Sequence, residues 1–234
     1  MSRAPRLVGA IQARMGSTRL PGKVLLPLAG APLLQRLVER VRRSQRLDAL
    51  VVATTDTPAD DPIADLCTRI DVPVHRGSED DVLARMLGAA QRHAADILVR
   101  LTADNPMVDG GLVDLVADAM LAARPPPDYA HSVDGTGFPF GLFVEAATMA
   151  SLNEAAREAD AEEREHVTLF LRRRPGRYRM LAVTAPGPFA LDRVTVDTAE
   201  EYEQVRALFE EHYRRDPAFS FRALLRPPTT ETIG

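Results

Sequence analysis

The sequence predicts an α/β fold: a mainly parallel, Rossmann-like sheet with helices on both faces. Three observations carry this. Between Leu7 and about Leu121, a short apolar run followed by a stretch of helical periodicity occurs four times, the pattern of βαβ units. The first apolar run leads into a loop with two glycines, two hydroxyls and three cations. Two later short apolar runs end on Asp104 and Asp197, which places carboxylates at the strand ends where open α/β sheets bind ligands.

Leu7 to Ile11 is apolar and too short for a helix, so it reads as a buried strand. The loop after it, Gln12 to Val24, has the chemistry of a polyphosphate cradle. Gly16 and Gly22 allow close backbone approach. Ser17 and Thr18 can donate to phosphate oxygens, and Arg14, Arg19 and Lys23 supply positive charge. Lys23 is the only lysine among 29 basic residues; a compact ammonium does what a planar guanidinium cannot. The loop is not a Walker A motif, because five residues separate its glycines and Val24 follows the lysine.

Pro27 to Gly30 is a turn. From Pro32, Leu33, Leu34, Leu37, Val38 and Val41 follow helical spacing, with Arg36, Glu39, Arg40, Arg42 and Arg43 assigned to the outer face. Leu50 to Thr54 is a second strand, with Asp56 just past it as a pocket or turn residue. Asp60 and Pro62 open the next helix. Val72 to His75 is a third strand, and Ser78 with Asp81 has capping-box-like spacing. Asp96 to Leu101 is the fourth strand, followed by Asp104-Asn105-Pro106 and by a helix capped at Asp109.

Arg124 to Pro127 is a stiff connector. It divides one domain, residues 1–234, into halves of about 1–124 and 125–216 with a tail at 217–234. In the second half Tyr129 to Val133 reads as a strand, Ala146 to Ala159 as a helix, and Glu163 to Thr168 as the opening of another. Tyr178 to Val183 and Arg193 to Thr198 read as strands, and Ala199 to about Tyr213 as a helix capped by Thr198. Phe138 to Val144 fits an aromatic hairpin.

Apolar content of 45% and charged content of 26% describe an ordinary globular chain. The net charge of −4 argues against a nucleic-acid partner. One cysteine, Cys67, permits no internal disulfide and fits a reducing cytoplasm. No apolar run approaches the roughly 20 residues of a membrane span, and no N-terminal signal is visible. The expectation is a cytoplasmic protein with no membrane partner.

Ile11 to Arg14 with Ser17 to Lys23 resembles the signature of cytidylyltransferases that activate sugar acids as CMP derivatives, above all the SpsF-like branch related to CMP-ketodeoxyoctonate and CMP-acylneuraminate synthetases. Thr102 to Pro106 resembles that family's metal-binding aspartate motif, and Val196-Asp197-Thr198 its second metal aspartate. Pro139 to Glu145 and Glu163 to Thr168 are similar to its acceptor-side segments. The resemblance implies the Rossmann-like nucleotide-diphosphosugar transferase fold, with CTP and Mg²⁺ as ligands. The nucleotide would be bound by Gln12, Ala13, Arg14, Gly16, Ser17, Thr18, Arg19, Lys23, Arg76, Gly77, Ser78 and Asp104. Asp104 and Asp197 would hold the metal; with Arg14 and Lys23 they are the catalytic candidates. Glu145, Arg164 and His166 would meet a small acidic acceptor, although Arg164 and His166 equally suit a dimer contact. The implied assembly is a homodimer. Two other classes are alternatives: a glycosyltransferase-like enzyme, which usually carries D-x-D where this chain has Ala103-Asp104-Asn105, and a non-catalytic nucleotide-binding module, which loss of Lys23 or an aspartate would favour.

Overall fold

The computed structural model describes residues 3–133 and 135–227. In chain order the main elements are β1 (Leu7–Gln12), β2 (Pro27–Leu28), β3 (Ala31–Pro32), α1 (Leu33–Val41), β4 (Ala49–Thr55), α2 (Asp61–Arg69), β5 (Val74–Gly77), α3 (Val82–Arg92), β6 (Ile97–Thr102) and α4 (Gly110–Ala122). The second half adds β7 (Tyr129–His131), β8 (Glu145–Thr148), α5 (Met149–Glu158), α6 (Ala161–Glu165), α7 (Leu169–Arg172), β9 (Met180–Ala182) and α8 (Ala199–Arg215). The large sheet has the order β5-β4-β1-β6-β8-β7-β9. Its first four strands are parallel, and β8 alone runs against its neighbours.

Alternation along β1 shows why helices cover both faces. Leu7 and Ile11 join the core under α1, α2, α4 and α8, while Val8 and Ala10 join the core under α3, α5 and α7. A strand buried on both sides reads as a continuous apolar run. Cys67 sits in the first of these cores, and burial pushes its thiol up to about 11.

The strand order places a switch point between β1 and β6: the chain moves outward from β1 through β4 to β5, then returns to β6 on the other side. The crevice beyond the carboxyl ends of β1 and β6 is where such sheets take ligands.

Several elements differ from their sequence reading. Ala146 to Thr148 belongs to β8, not to a helix; α5 starts at Met149 with Thr148 accepting from the Ser151 N–H. Ala146 and Ala147 are flanked on both sides, by Val99 and Leu98 and by Ala130 and Tyr129. Tertiary strand pairing there overrides alanine's helix preference. Arg193 to Thr198 is not a strand: Arg193 forms one isolated bridge with Phe140, and the Val196 N–H donates to the Asp104 carbonyl at 2.9 Å, single long-range contacts rather than a ladder. The expected helix at Glu163 is broken into α6 and α7 by Val167, whose φ of 51° is rare for a β-branched residue.

Arg40, assigned to the outer face of α1, is only 2% exposed. Its guanidinium donates to the carbonyls of Met107, Val108 and Phe219 and lies 4.0 Å from the Phe219 ring centre. Burial lowers its pKa to about 10. Helical spacing could not reveal these acceptors, which come from two distant segments. Phe219, Phe221 and Leu224 also pack into the core, so residues 217–227 are anchored; residues 228–234 of the expected tail lie outside the described residues. No described helix is long and apolar enough to cross a membrane.

Candidate active site

The loop after β1 closes on a single carbonyl. Met15 O accepts from the Ser17 N–H at 2.9 Å and from the Gly22 N–H at 3.0 Å. Gly22 has φ 72°, a left-handed conformation that glycine adopts at little cost, and it turns the chain so that Lys23 points inward. The loop's start is tied down by Asp60: its carboxylate accepts from the Met15 N–H at 2.7 Å and from the Thr54 and Thr55 hydroxyls at 3.0 and 2.6 Å. The sequence reading made Asp60 a helix cap, but its side chain makes no cap hydrogen bond. Burial opposes its ionisation, yet these donors win and hold Asp60 below the ordinary value of 3.8.

Lys23 is 8% exposed. Its Nζ donates to Asp104 Oδ2 at 2.9 Å, Asp197 Oδ1 at 2.8 Å and the Val196 carbonyl at 2.8 Å. An ammonium has three donors, so all are engaged. Asp104 follows β6 directly. Asp197 arrives from an irregular segment held at two points: Val196 on the Asp104 carbonyl, and Val194 on the Phe140 carbonyl at 2.7 Å. Gly141 makes this approach possible, because a Cβ there would lie 2.6 Å from the Thr195 nitrogen. The outer oxygen of Asp197 takes Arg19 at 3.1 Å and Arg193 at 3.0 Å. Burial raises the pKa of Asp197, but Lys23, Arg19 and Arg193 outweigh it and keep the carboxylate below its ordinary range.

These groups border a cavity of about 380 Å³, in the range of small-molecule sites. Gln12, Ala13, Arg14, Gly16, Ser17, Thr18 and Arg19 line it on the loop side, with Lys23, Asp104 and Asp197 at one end. Arg100, Thr102, Glu165 and His166 add the polar part of the remaining wall, and Val24, Val82 and Ala103 its apolar part. Other expected site residues lie beside the cavity rather than in its lining. Arg76 spends its donors on Thr55 O, Thr57 O and Asp61. Gly77 packs on Arg85, with 3.3 Å left for a Cβ, and Ser78 Oγ accepts from the Asp81 N–H at 3.1 Å. Asp81, not Ser78, caps α3. Arg164 holds that cap by pairing with Asp81 at 2.5 Å, a task that uses the charge expected to meet an acceptor.

Glu145 is buried beneath the wall. It accepts from Arg100, from the Tyr129 hydroxyl and from Thr168 Oγ1 at 2.5 Å. Burial disfavours its charge, but Arg100, Thr168 and Tyr129 together hold it below the ordinary 4.5. Burial and the neighbouring Glu145 push the Tyr129 hydroxyl well up. Arg100 was not among the sequence candidates. Its only signal was an arginine inside an otherwise apolar strand, a position where charge is costly unless paired.

A family model for cytidylyltransferases matches residues 8–221. The chain is also 39% identical over 208 residues to the spore coat polysaccharide biosynthesis protein SpsF of Bacillus subtilis, covering 86% of this chain and 85% of that one. The chain belongs to the cytidylyltransferase family. Among solved structures, a cytidylyltransferase from Leptospira borgpetersenii superposes with a TM-score of 0.84 at 30% identity, covering 94% of this chain and 92% of that one. CMP:2-keto-3-deoxy-manno-octonic acid synthetase, solved with CTP, shares the fold with a TM-score of 0.65 at 22% identity, covering 88% of this chain and 99% of that one. The cytidylyltransferase is therefore a CTP-dependent nucleotidyltransferase with the nucleotide-transferase fold, and the glycosyltransferase-like and non-catalytic alternatives fall away.

Proposed function

We propose that this cytidylyltransferase moves CMP from CTP to a small acidic acceptor, a sugar acid or a small carboxylate or phosphonate, at the switch-point cavity. The observation that supports this most is the convergence of Lys23, Asp104 and Asp197 beside a basic, glycine-containing loop. An acceptor oxygen forms a bond to the α-phosphorus of CTP while the bond to the β-phosphate oxygen breaks. Pyrophosphate leaves; where the attacking oxygen is a hydroxyl its proton passes to solvent, and where it is an oxyanion none is released. Catalysis of this kind is mostly positioning and charge stabilisation.

Each residue has a part. The loop N–H groups, Ser17 and Thr18 cradle phosphate oxygens; Arg14 and Arg19 add charge from the cavity wall. Lys23 can meet a phosphate oxygen by exchanging one of its three present acceptors for it. Gln12 and Ala13 border the nucleotide, and Arg76, Gly77 and Ser78 support its far side through the α3 turn. Glu145 and Arg164 act from behind the acceptor wall, and His166 faces the acceptor.

Asp104 and Asp197 fit a divalent cation. They already share one cation, Lys23 Nζ, at 2.9 and 2.8 Å. Among the described residues no three His, Cys, Asp or Glu side chains form a metal cluster. Two carboxylates are a set that Mg²⁺ commonly takes, completing its shell with phosphate oxygens and water. Bound there, it would neutralise charge on the transferring phosphoryl group. A distant structural relative at 20% identity was solved as a complex with manganese.

The test is pyrophosphate release from each of the four nucleoside triphosphates against a panel of sugar acids, phosphonates and sugar phosphates, with and without Mg²⁺. Turnover should require CTP, an acidic acceptor and the metal. ATP or UTP serving as well as CTP, or neutral acceptors serving as well as acids, would refute this reading. The proposed assembly is a homodimer in the cytoplasm; a fully active monomer in sedimentation at micromolar concentration would remove the dimer.

A further inference from the structure

We infer that Arg193 and Glu201 are positioning residues that aim the carboxylate of Asp197 at its metal. This rests on the reading of Asp104 and Asp197 as the metal-holding pair in cytidylyl transfer and deepens it. The two aspartates are delivered differently. Asp104 follows β6 directly, so the sheet fixes its backbone. Asp197 comes from a segment with no strand ladder, so its carboxylate needs another guide.

A ring of three hydrogen bonds supplies that guide. The Asp197 N–H donates to Glu201 Oε2 at 2.8 Å. Arg193 Nη2 donates to Asp197 Oδ2 at 3.0 Å, and its Nε donates to Glu201 Oε1. The ring therefore runs from the backbone of Asp197 back to its own side chain. It ties down the outer oxygen and leaves Oδ1 to Lys23. Both of its outer members are anchored. Glu201 also accepts from the Thr198 N–H at 3.0 Å, within the capping box of α8. The Arg193 guanidinium carbon lies 4.3 Å from the Phe140 ring centre, and Phe140 meets Phe143 edge-on at 4.6 Å. The Phe140 N–H donates to the Asp192 carbonyl at 2.8 Å, and its carbonyl accepts from the Val194 N–H at 2.7 Å.

This is not an ordinary rim ion pair. Arg206–Glu203 and Arg215–Glu211 each join one arginine to one acid along α8, and solvated pairs of that kind are worth little. Arg193 instead serves two carboxylates from one edge of its guanidinium, and those carboxylates are only 14% and 20% exposed. Phe140 is one of two large apolar side chains exposed among the described residues; stacking on the cation gives it a favourable contact at the rim.

Charge alone predicts the opposite effect. The ion pairs around the two aspartates join three cations, Lys23, Arg19 and Arg193, to three carboxylates, Asp104, Asp197 and Glu201. Deleting the Arg193 cation would by Coulomb attraction tighten a metal ion at Asp197, whereas losing its guidance would loosen one. Deleting Arg193 and Glu201 together leaves the local charge unchanged, so the remaining effect is that of geometry. No bond forms or breaks at Arg193; it orients.

The experiment uses the full chain in excess over CTP, without acceptor, so that no free CTP takes the ion. Mn²⁺ is titrated in and followed by electron paramagnetic resonance. CTP binding in EDTA is measured by calorimetry, and thermal midpoints are recorded. One variant is Arg193→Gln with Glu201→Gln, in which the glutamine at 201 can still close the capping box. The other is Arg193→Lys, which keeps the charge and loses the two-donor edge. In both, Kd for Mn²⁺ should rise about 10-fold or more, the scale of losing a group that orients a metal ligand. CTP affinity in EDTA and the thermal midpoint should stay near wild type, and saturating metal should restore pyrophosphate release. The inference is overturned if Mn²⁺ binds the double variant as tightly as wild type or more tightly, or if Arg193→Lys matches wild type, as a role of charge alone requires. It is equally overturned if CTP affinity in EDTA falls in parallel, which would make Arg193 a phosphate contact. Mn²⁺ affinity untouched by Asp197→Asn would remove the metal reading beneath it, and a wild-type protein that binds no CTP would remove cytidylyl transfer itself.

Discussion

Two charged clusters border the same cavity and differ in how they meet it. Lys23 with Asp104 and Asp197 stands at the mouth, where Asp104 is 28% exposed and the outer oxygen of Asp197 takes Arg19, which is largely exposed, and Arg193, which is partly so. Arg100 with Glu145, Tyr129 and Thr168 is sealed, touching the cavity through Arg100 alone. The first cluster can exchange partners: an incoming phosphate replaces a carboxylate, and water compensates what is released. The second cannot, because Glu145 leaves water only by accepting from Arg100, Tyr129 and Thr168 together. Mutation at the mouth should therefore cost activity, and mutation in the sealed cluster should cost stability.

The sharpest test is Glu145→Ala. It strands Arg100 beside a cavity wall without its carboxylate, and breaking a buried pair costs about 3–5 kcal/mol. Thermal unfolding should show a large drop, and Glu145→Gln, which keeps hydrogen-bonding capacity, a smaller one. An unchanged midpoint for the alanine variant would erase the distinction between the clusters.

Next in size are Asp104→Asn, Asp197→Asn and Lys23→Ala. Each removes a charge from the mouth but little packing. Turnover should fall roughly 10²–10³-fold, as when one electrostatic stabiliser is removed, with the thermal midpoint within a few degrees of wild type. Lys23→Arg should fall between wild type and Lys23→Ala, because the pocket between two aspartates and a carbonyl is shaped for three donors on one atom. Near-normal turnover in either aspartate variant would place the metal elsewhere.

Gly22→Ala probes the loop that delivers Lys23. A Cβ at φ 72° is strained, and the expected stability loss is about 1 kcal/mol or somewhat more. The diagnostic sign is weaker CTP binding by calorimetry beyond what the stability loss explains.

The smallest and broadest effect is that of pH. Asp60 and Glu145 both have folded-state pKa values below their ordinary ones. Their contribution to stability is full above the unfolded-state pKa and lost as pH falls through the folded-state value. Stability should hold at neutral pH and decline below about pH 4. Asp60→Asn should flatten part of that decline and also loosen the loop at Met15.

Much of the parallel half was legible in the chain. β1 and β4 read as near-continuous apolar runs because both faces are buried, β6 does so but for Arg100, and the loop from Gln12 to Lys23 carries its chemistry in consecutive residues. The helix caps at Asp109 and Thr198 were readable for the same reason: donor and acceptor lie within four residues. Asp104 and Asp197 could be named as strand-end acids, and the resemblance to cytidylyltransferases supplied their pairing.

Interactions between distant segments were decided only in three dimensions. Local periodicity put Arg40 outside, whereas carbonyls from 107, 108 and 219 take it inside. Ala146 to Thr148 has helical propensity and becomes a strand because β6 and β7 offer ladders on both sides. Asp60 looks like a cap and instead anchors Met15, 45 residues away. Arg100 and Glu145 are likewise 45 residues apart in sequence and directly opposite across the sheet. By itself the sequence determined the sheet's parallel half, the phosphate loop and the strand-end acids, because short-range patterns encode them. Which charges are shared, sealed or presented to the cavity depended on long-range pairing, because a charge's free energy is set by the partners and solvent that the completed fold leaves around it.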